Sequence, residues 1–367
     1  MVVLYVKFNG IYGFNNFEVN FTDFGISTSP FPKHEHLKDR ENFRYKKAVI
    51  LMGPNASGKT SLGKALNEIM DFIQSGLSSD IYQIASKDEA FFTIDFVNNE
   101  NILYRFDGAI FQKDKSVTVH KYTAKIEETD SYQTCLKKLH ESDDWDPVQH
   151  YMRFPFSELK GRLNYCFAYP GEDRALKTAN IDQTILLKTL SAILGTLDPT
   201  LTDVSISKDL KNSFIIRRES EEIIIQDGKL LNRDALSSGT IEGIDVAILL
   251  SAMMENNSGF YYCDEHFSYI QSDIEKRIFG IMLSYIGDNG QLIFTTHNTD
   301  MLDLNIPKHS YVFLRKKPEN GKFKISAVSA SDIMGENKES LRDAVENDMF
   351  SSIPDDSLLD DLEVVNE

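Results

Sequence analysis

The chain has 367 residues, a formal net charge of −17 and 41% hydrophobic residues, enough for one large domain or two modest ones with a full core. The longest apolar run of its second half, Val246 to Met254 with one Ser, is far too short to span a bilayer, and MVVLYVKFNG lacks the start of a signal peptide. A cytoplasmic location without a membrane partner is therefore expected, and three scattered cysteines, Cys135, Cys166 and Cys263, with no C-x-x-C pair, argue against a disulfide framework or a zinc site.

Taken in chain order, VVLYVKF (2–8) and NFEVNF (16–21) alternate as two strands joined by a turn at Asn9-Gly10 or Asn15-Asn16. Residues 24–44, with Pro30, Pro32, His34 and His36, read as a polar loop; His-x-His spacing suits a metal, but no third ligand accompanies it. The apolar strand Ala48 to Met52 then runs into Gly53-Pro54-Asn55-Ala56-Ser57-Gly58-Lys59-Thr60, followed by Ser61 and helix-compatible sequence to about Ser75. In the spacing G-x-x-x-x-G-K-[ST], glycines let consecutive N–H groups curl around phosphates and the helix start adds its positive dipole end. Lys59 reaches the β and γ phosphates, and Thr60 offers a hydroxyl to Mg²⁺. Residues 53–61 are thus expected to bind a nucleoside triphosphate.

Three strand-like runs follow at 91–97, 102–111 and 117–126, separated by Asn, Asp and Lys turns, and predict an antiparallel sheet beside the nucleotide core. Residues 127–180 weaken into short amphipathic stretches broken by Pro147, Pro155 and Pro170, read as a small, partly helical insertion. A helix is expected over 181–194, then strands FIIRR and EIIIQDG around a turn at 219–222. No heptad array occurs, and the interval between the two nucleotide motifs leaves no room for a long coiled-coil arm.

The second motif, Leu236-Ser237-Ser238-Gly239-Thr240, opens a helix with apolar positions Ile241, Ile244, Ala247, Ile248 and Met254. A hydroxyl and glycine amides at a helix start suit a γ-phosphate, although the same residues make a common N-cap. Next, Phe260-Tyr261-Tyr262-Cys263 ends in Asp264-Glu265: the first acid is placed to hold Mg²⁺, the second to polarise an attacking water. A further apolar strand, Gln291 to Thr296, ends in His297, which is placed to hydrogen-bond a phosphate or that water.

Phosphate loop, LSSGT, apolar strand plus Asp-Glu and apolar strand plus His, in that order, resemble the ATP-binding head of the ABC ATPase class. GPNASGKT, LSSGTIEG and IFTTHNTDMLD look most like the branch with SMC and Rad-fifty-type proteins, OLD-like ATPases and the small ATPases of bacterial abortive-infection and anti-phage systems. LRDAVENDMFSSIP loosely resembles the closing segment of the defence ATPases. The resemblance implies an α/β P-loop ABC-type head: a mixed central sheet flanked by helices, with an added antiparallel β subdomain and a small helical insertion. That head would occupy 1–350 as one domain, with 351–367 an acidic tail. It also implies ATP and Mg²⁺ sandwiched between two head-to-tail copies: Lys59 and Thr60 on phosphate and metal, Asp264 completing the metal site, Glu265 as base, His297 as switch residue, and Ser237 with Gly239 acting in trans.

Three positions depart from that pattern. Tyr12 stands where an Arg is common, Ile270-Gln271 replaces Leu-His or Leu-Asp, and the glutamine loop has no clear place, with Gln112 and Gln83 as candidates.

The function expected from the sequence is an ATPase acting as sensor or scaffold for a separately encoded effector, a nuclease or toxin, in anti-phage defence. A DNA repair or maintenance ATPase of the SMC or recombination class is the alternative; its long coiled coils and basic groove are not evident. A transporter subunit would carry a clear glutamine loop, and a non-enzymatic ATP-dependent scaffold is also open. Net charge does not point to nucleic acid. Nine of the acids follow Arg342 with no Lys or Arg after it, so the tail reads as a solvated segment or as a docking peptide whose leucines line a partner groove.

Overall fold

The computed structural model describes residues 1–22, 31–76, 81–141, 156–169, 181–319, 321–335 and 340–351. In chain order these form β1 (Val2–Asn9), β2 (Phe17–Asn20), β3 (His36–Leu37), β4 (Arg40–Arg44), β5 (Ala48–Met52), α1 (Lys59–Ser75), β6 (Glu89–Val97), β7 (Ile102–Phe111) and β8 (Ser116–Lys125). Then come α2 (Tyr132–Leu136), β9 (His140–Glu141), β10 (Tyr165–Ala168), α3 (Gln183–Leu197), β11 (Asp203–Ile206), β12 (Ser213–Arg218), β13 (Glu221–Gln226) and β14 (Lys229–Leu230). The chain continues with α4 (Ser238–Glu255), β15 (Phe260–Asp264), α5 (Ser272–Tyr285), β16 (Gln291–Thr295), β17 (Tyr311–Glu319), β18 (Lys322–Ser329), α6 (Ala330–Met334) and α7 (Leu341–Glu346).

Two six-stranded sheets carry the architecture. One, in the order β2-β1-β6-β7-β8-β9, is antiparallel throughout; the other, β10-β15-β16-β5-β17-β18, is parallel except for its last strand. β5, β15 and β16 are buried at every position, which is why they read as unbroken apolar runs: a parallel strand covered on both faces has no polar side to show. Alternate residues feed two cores. Val49, Leu51, Phe260, Tyr262 and Ile293 join α1 and the antiparallel sheet, whereas Ile50, Tyr261, Cys263, Leu292 and Phe294 join α3, α4 and α5. A smaller four-stranded antiparallel sheet, β11-β12-β13-β14, precedes α4.

The α/β architecture with its antiparallel subdomain agrees with the sequence reading. Two regions depart from it. The stretch read as a polar loop contains the hairpin β3–β4. Within 127–180, Tyr165–Ala168 is no insertion but a parallel strand of the main sheet beside β15; four residues paired with a strand nearly a hundred positions away leave little periodic signal. Residues 142–155 and 170–180, and the acidic tail from 352 on, lie outside the described residues. Among the described residues no helix is long and apolar enough to cross a membrane.

Candidate nucleotide site

β5, β16 and β15 are neighbours in the parallel sheet, so the phosphate loop, His297 and the Asp264-Glu265 pair emerge side by side at their carboxyl ends. Open α/β sheets bind ligands at that edge. The loop is built for close approach: Gly53, Ala56 and Gly58 all have positive φ, at 151°, 60° and 105°. A Cβ on Gly53 would stand 2.4 Å from the Leu314 carbonyl oxygen and 2.8 Å from Ser57 Oγ, so no side chain fits there. Pro54 is half-buried, Asn55 and Ala56 are exposed, and Ser61 lies half-buried one residue into the helix after Thr60.

The N-cap position of α1 is Gly58, which has no side chain with which to cap the helix, leaving its first amides to an external acceptor. Beside them, Ser57 is fully buried and its Oγ has no hydrogen-bond partner. A buried hydroxyl of this kind calls for a partner, and a phosphate oxygen fits both it and the uncapped amides. Lys59, 3% exposed, donates from Nζ to the Gly53 carbonyl at 2.8 Å and lies 3.2 Å from Glu265 Oε1. Burial lowers its pKa, and the Glu265 charge opposes that shift.

The two acids that end β15 occupy different environments. Asp264 is fully buried and accepts hydrogen bonds from Thr60 Oγ1 (2.6 Å) and Thr295 Oγ1 (2.7 Å). Burial raises its pKa, against the pull of those two hydroxyls. Glu265 is held at φ 49°, uncommon for a non-glycine residue, with its N–H donating to Thr295 Oγ1 at 3.1 Å. Its Oε1 lies 2.9 Å from His297 Nε2, and that hydrogen bond is the main cause of a pKa below the ordinary glutamate value. Glu265 is therefore ionised at neutral pH, its Oε1 held by both Lys59 and His297.

Lys59, Thr60, Asp264, Glu265 and His297 come together through the Thr60–Asp264, Lys59–Glu265 and His297–Glu265 contacts. Ser237 and Gly239 do not: among the described residues no hydrogen bond or ion pair joins them to residues 53–61. Ser237 caps α4 instead, accepting from the Thr240 N–H at 3.2 Å, and Gly239 lies against the carbonyl of Tyr269, which is 71% exposed. Gln112, one residue past β7, donates from Nε2 to the Ala85 carbonyl. Tyr12 (φ 44°) sits in the turn 10–14, whose Phe14 ring packs on Gly58. His34 and His36 pack edge to face, and no cluster of three potential metal ligands occurs among the described residues. Gln271 begins α5 without a side-chain cap.

Several contributors carried no assignment in the sequence reading. Thr295 orients Asp264; Tyr262 donates from its hydroxyl to the Lys59 carbonyl at 2.7 Å, tying α1 to β15. Glu275 of α5, 1% exposed, accepts from Thr296 Oγ1 (2.7 Å) and Asn298 Nδ2 (2.6 Å), the residues flanking His297. The run TTHN marks Thr295, Thr296 and Asn298 as polar residues at a strand end; Glu275 gives no local signal.

No family model and no curated protein matches this sequence. Solved structures do. An SMC head bound to the C-terminal winged-helix domain of ScpA is 14% identical, with 91% of this chain and 99% of that one covered at a TM-score of 0.50. An SMC head with an extended coiled coil, bound to a ScpA C-terminal domain derived from Pyrococcus furiosus, is 12% identical over 91% and 98%, also at 0.50. The fold is that of an SMC head domain. An SMC head from Thermotoga maritima (15% identity, 90% and 100% covered) superposes at 0.42. Within this fold, β5, β15 and β16 supply the three strand ends that hold the cluster.

Proposed function

We propose that the chain binds ATP with Mg²⁺ and hydrolyses it in a head-to-tail pair with a second copy, and that this closure controls a separately encoded effector in anti-phage defence. The observation that carries the ATPase reading is the convergence of Lys59, Thr60, Asp264, Glu265 and His297 on three adjacent strand ends. Residues 53–61 would hold the phosphates. Thr60 and Asp264, already in contact at 2.6 Å, would hold Mg²⁺, an ion that keeps waters and substrate oxygens rather than a full protein cage. When bound, the metal neutralises charge developing on the phosphate oxygens.

Glu265 accepts the proton of the attacking water, and His297 fixes the direction of its carboxylate by holding Oε1. An arriving phosphate competes for Lys59 with Glu265, so occupation of the loop releases the base as it binds. Ser237 and the amide of Gly239, which stand apart from the loop of their own chain, would complete the site of the second copy. The defence role rests on the resemblance of GPNASGKT, LSSGTIEG, IFTTHNTDMLD and the stretch 341–354 to such ATPases.

The test compares native protein with Glu265→Gln, measuring phosphate release together with molar mass in solution with and without ATP. The native chain is expected to turn over and the variant to stop while accumulating as an ATP-dependent dimer. If turnover and assembly are the same in both, the sandwich mechanism is wrong.

A further inference from the structure

The residues on either side of His297 are gripped by one buried carboxylate, and the grip continues to the C-terminal helix. Glu275 Oε1 accepts from Thr296 Oγ1 and Oε2 from Asn298 Nδ2. The amide orientation of Asn298 is determined by its other end: Oδ1 accepts from the Asp300 N–H at 2.9 Å, so Nδ2 must face Glu275 and Ser272 Oγ (2.8 Å). Ser272 in turn donates to Asp300 Oδ2 at 2.6 Å. Arg342 of α7 closes the outer end, donating from Nη2 to Asp300 Oδ1 at 3.0 Å and from Nε to Asp303 Oδ1 at 3.0 Å.

We propose that Glu275 is the positioning residue for His297, and that Arg342 anchors the same loop from the C-terminal helix, so that the packing of α7 sets how His297 meets Glu265. Two arguments support this. Glu275 lies one turn into α5, which begins directly after the 265–271 segment carrying Glu265 and the exposed Tyr269, so a single helix ties both sides of the His297–Glu265 contact. The position is also costly, since burial raises the Glu275 pKa, and a carboxylate held by two hydrogen-bonding side chains does nothing for the core that an apolar residue would not do better. α7 is itself seated by Leu341 and Ala344 and, beyond it, by the stacking of Phe350 on Phe313 at 4.1 Å. Displacing α7 therefore pulls on the loop through Arg342.

The proposal rests on the ATPase reading for its kinetic consequence, but not for its structural one, and the experiment separates the two. Glu275→Gln, Asn298→Ala and Arg342→Gln are compared with native protein, with Arg277→Ala on the exposed side of α5 as control. The kinetic readout is kcat against KM for ATP. The structural readout is the His297 ring resonance of histidine-labelled protein without nucleotide, assigned by its loss in His297→Gln. Glu275→Gln and Asn298→Ala are expected to lower kcat about ten- to a hundredfold with KM within about twofold, Arg342→Gln to do so more weakly, and all three to shift the His297 resonance. Arg277→Ala should change neither. An unmoved resonance in folded Glu275→Gln and Asn298→Ala overturns the proposal, as does a rise in KM that accounts for the whole effect. If native protein does not hydrolyse ATP, the functional reading fails and the resonance alone decides the positioning role.

Discussion

Lys59 Nζ and Glu265 Oε1 form an ion pair at 3.2 Å that joins the phosphate loop to the end of β15. Both groups belong to the proposed chemistry, and each is held by something else as well: Lys59 by the Gly53 carbonyl, Glu265 by His297. Lys59→Ala removes a buried cation whose Nζ donates to the Gly53 carbonyl of the loop. Hydrogen bonds to charged groups contribute about 1.5–3 kcal/mol, so ATP affinity is expected to fall by roughly ten- to a hundredfold, measured by equilibrium titration of a fluorescent ATP analogue. An unchanged affinity would remove Lys59 from the binding site.

Gly63 and Gly108 separate damage to the site from damage to the fold. A Cβ on Gly63 would sit 2.6 Å from the Tyr262 ring, and that ring is tethered because its hydroxyl donates to the Lys59 carbonyl. On Gly108 a Cβ would sit 2.1 Å from Phe92, the residue directly opposite it on β6. Each alanine is expected to destabilise by about 1–3 kcal/mol through overpacking, read as a lower denaturation midpoint. Only Gly63→Ala should also weaken ATP binding by folded protein, since it pushes α1 and the phosphate loop off β15. Equal loss of affinity in both variants would contradict this division.

These glycines show how unevenly the sequence exposes its structure. β5, β15 and β16 were readable because strands covered on both faces are continuously apolar, and β6–β8 because alternation is broken by turn residues. The convergence of Lys59, Thr60, Asp264, Glu265 and His297 was readable because each closely follows an apolar strand, and those strands are neighbours in one parallel sheet. β17–β18 gave no comparable sign, since YVFLRKKPE turns polar halfway as the hairpin leaves the core. The partners that orient the site, Thr295 on Asp264 and Glu275 on the His297 loop, act across 31 and 21 positions, and no local period records such a pairing.

Two acids on α4 give a signature in pH. Burial raises the carboxyl of Glu242 to about 7; burial also raises that of Asp245 to about 7, with Arg233 opposing and Glu242 reinforcing. Unfolded, both titrate near the ordinary 4–4.5. Between about pH 4 and 7 the folded chain thus holds protons that the unfolded chain has released, so these groups make stability fall as pH rises through that window and level off above it. Asp245→Asn is expected to flatten its share of the fall, gaining on native protein in urea midpoint at pH 8 relative to pH 5. Parallel curves for the two proteins across pH 5–8 would refute the raised carboxyl.

Ser237 has a duty in its own chain that has to be distinguished from its proposed duty in the partner. Its hydroxyl caps α4, accepting from the Thr240 N–H and pairing with Thr240 Oγ1 at 2.7 Å. Ser237→Ala therefore loses a cap worth about 1 kcal/mol as well as any contact with the second copy's nucleotide, and cannot apportion them. Ser237→Asp keeps a good N-cap acceptor and adds favourable charge at the helix start, so stability should hold. The same carboxylate set against a γ-phosphate is repulsive. Ser237→Asp is expected to match native protein in denaturation midpoint and in ATP binding by the monomer, yet to lose ATP-dependent dimerisation in molar-mass measurements. If Ser237→Asp still dimerises with ATP as native protein does, the LSSGT turn does not face the second copy's phosphates.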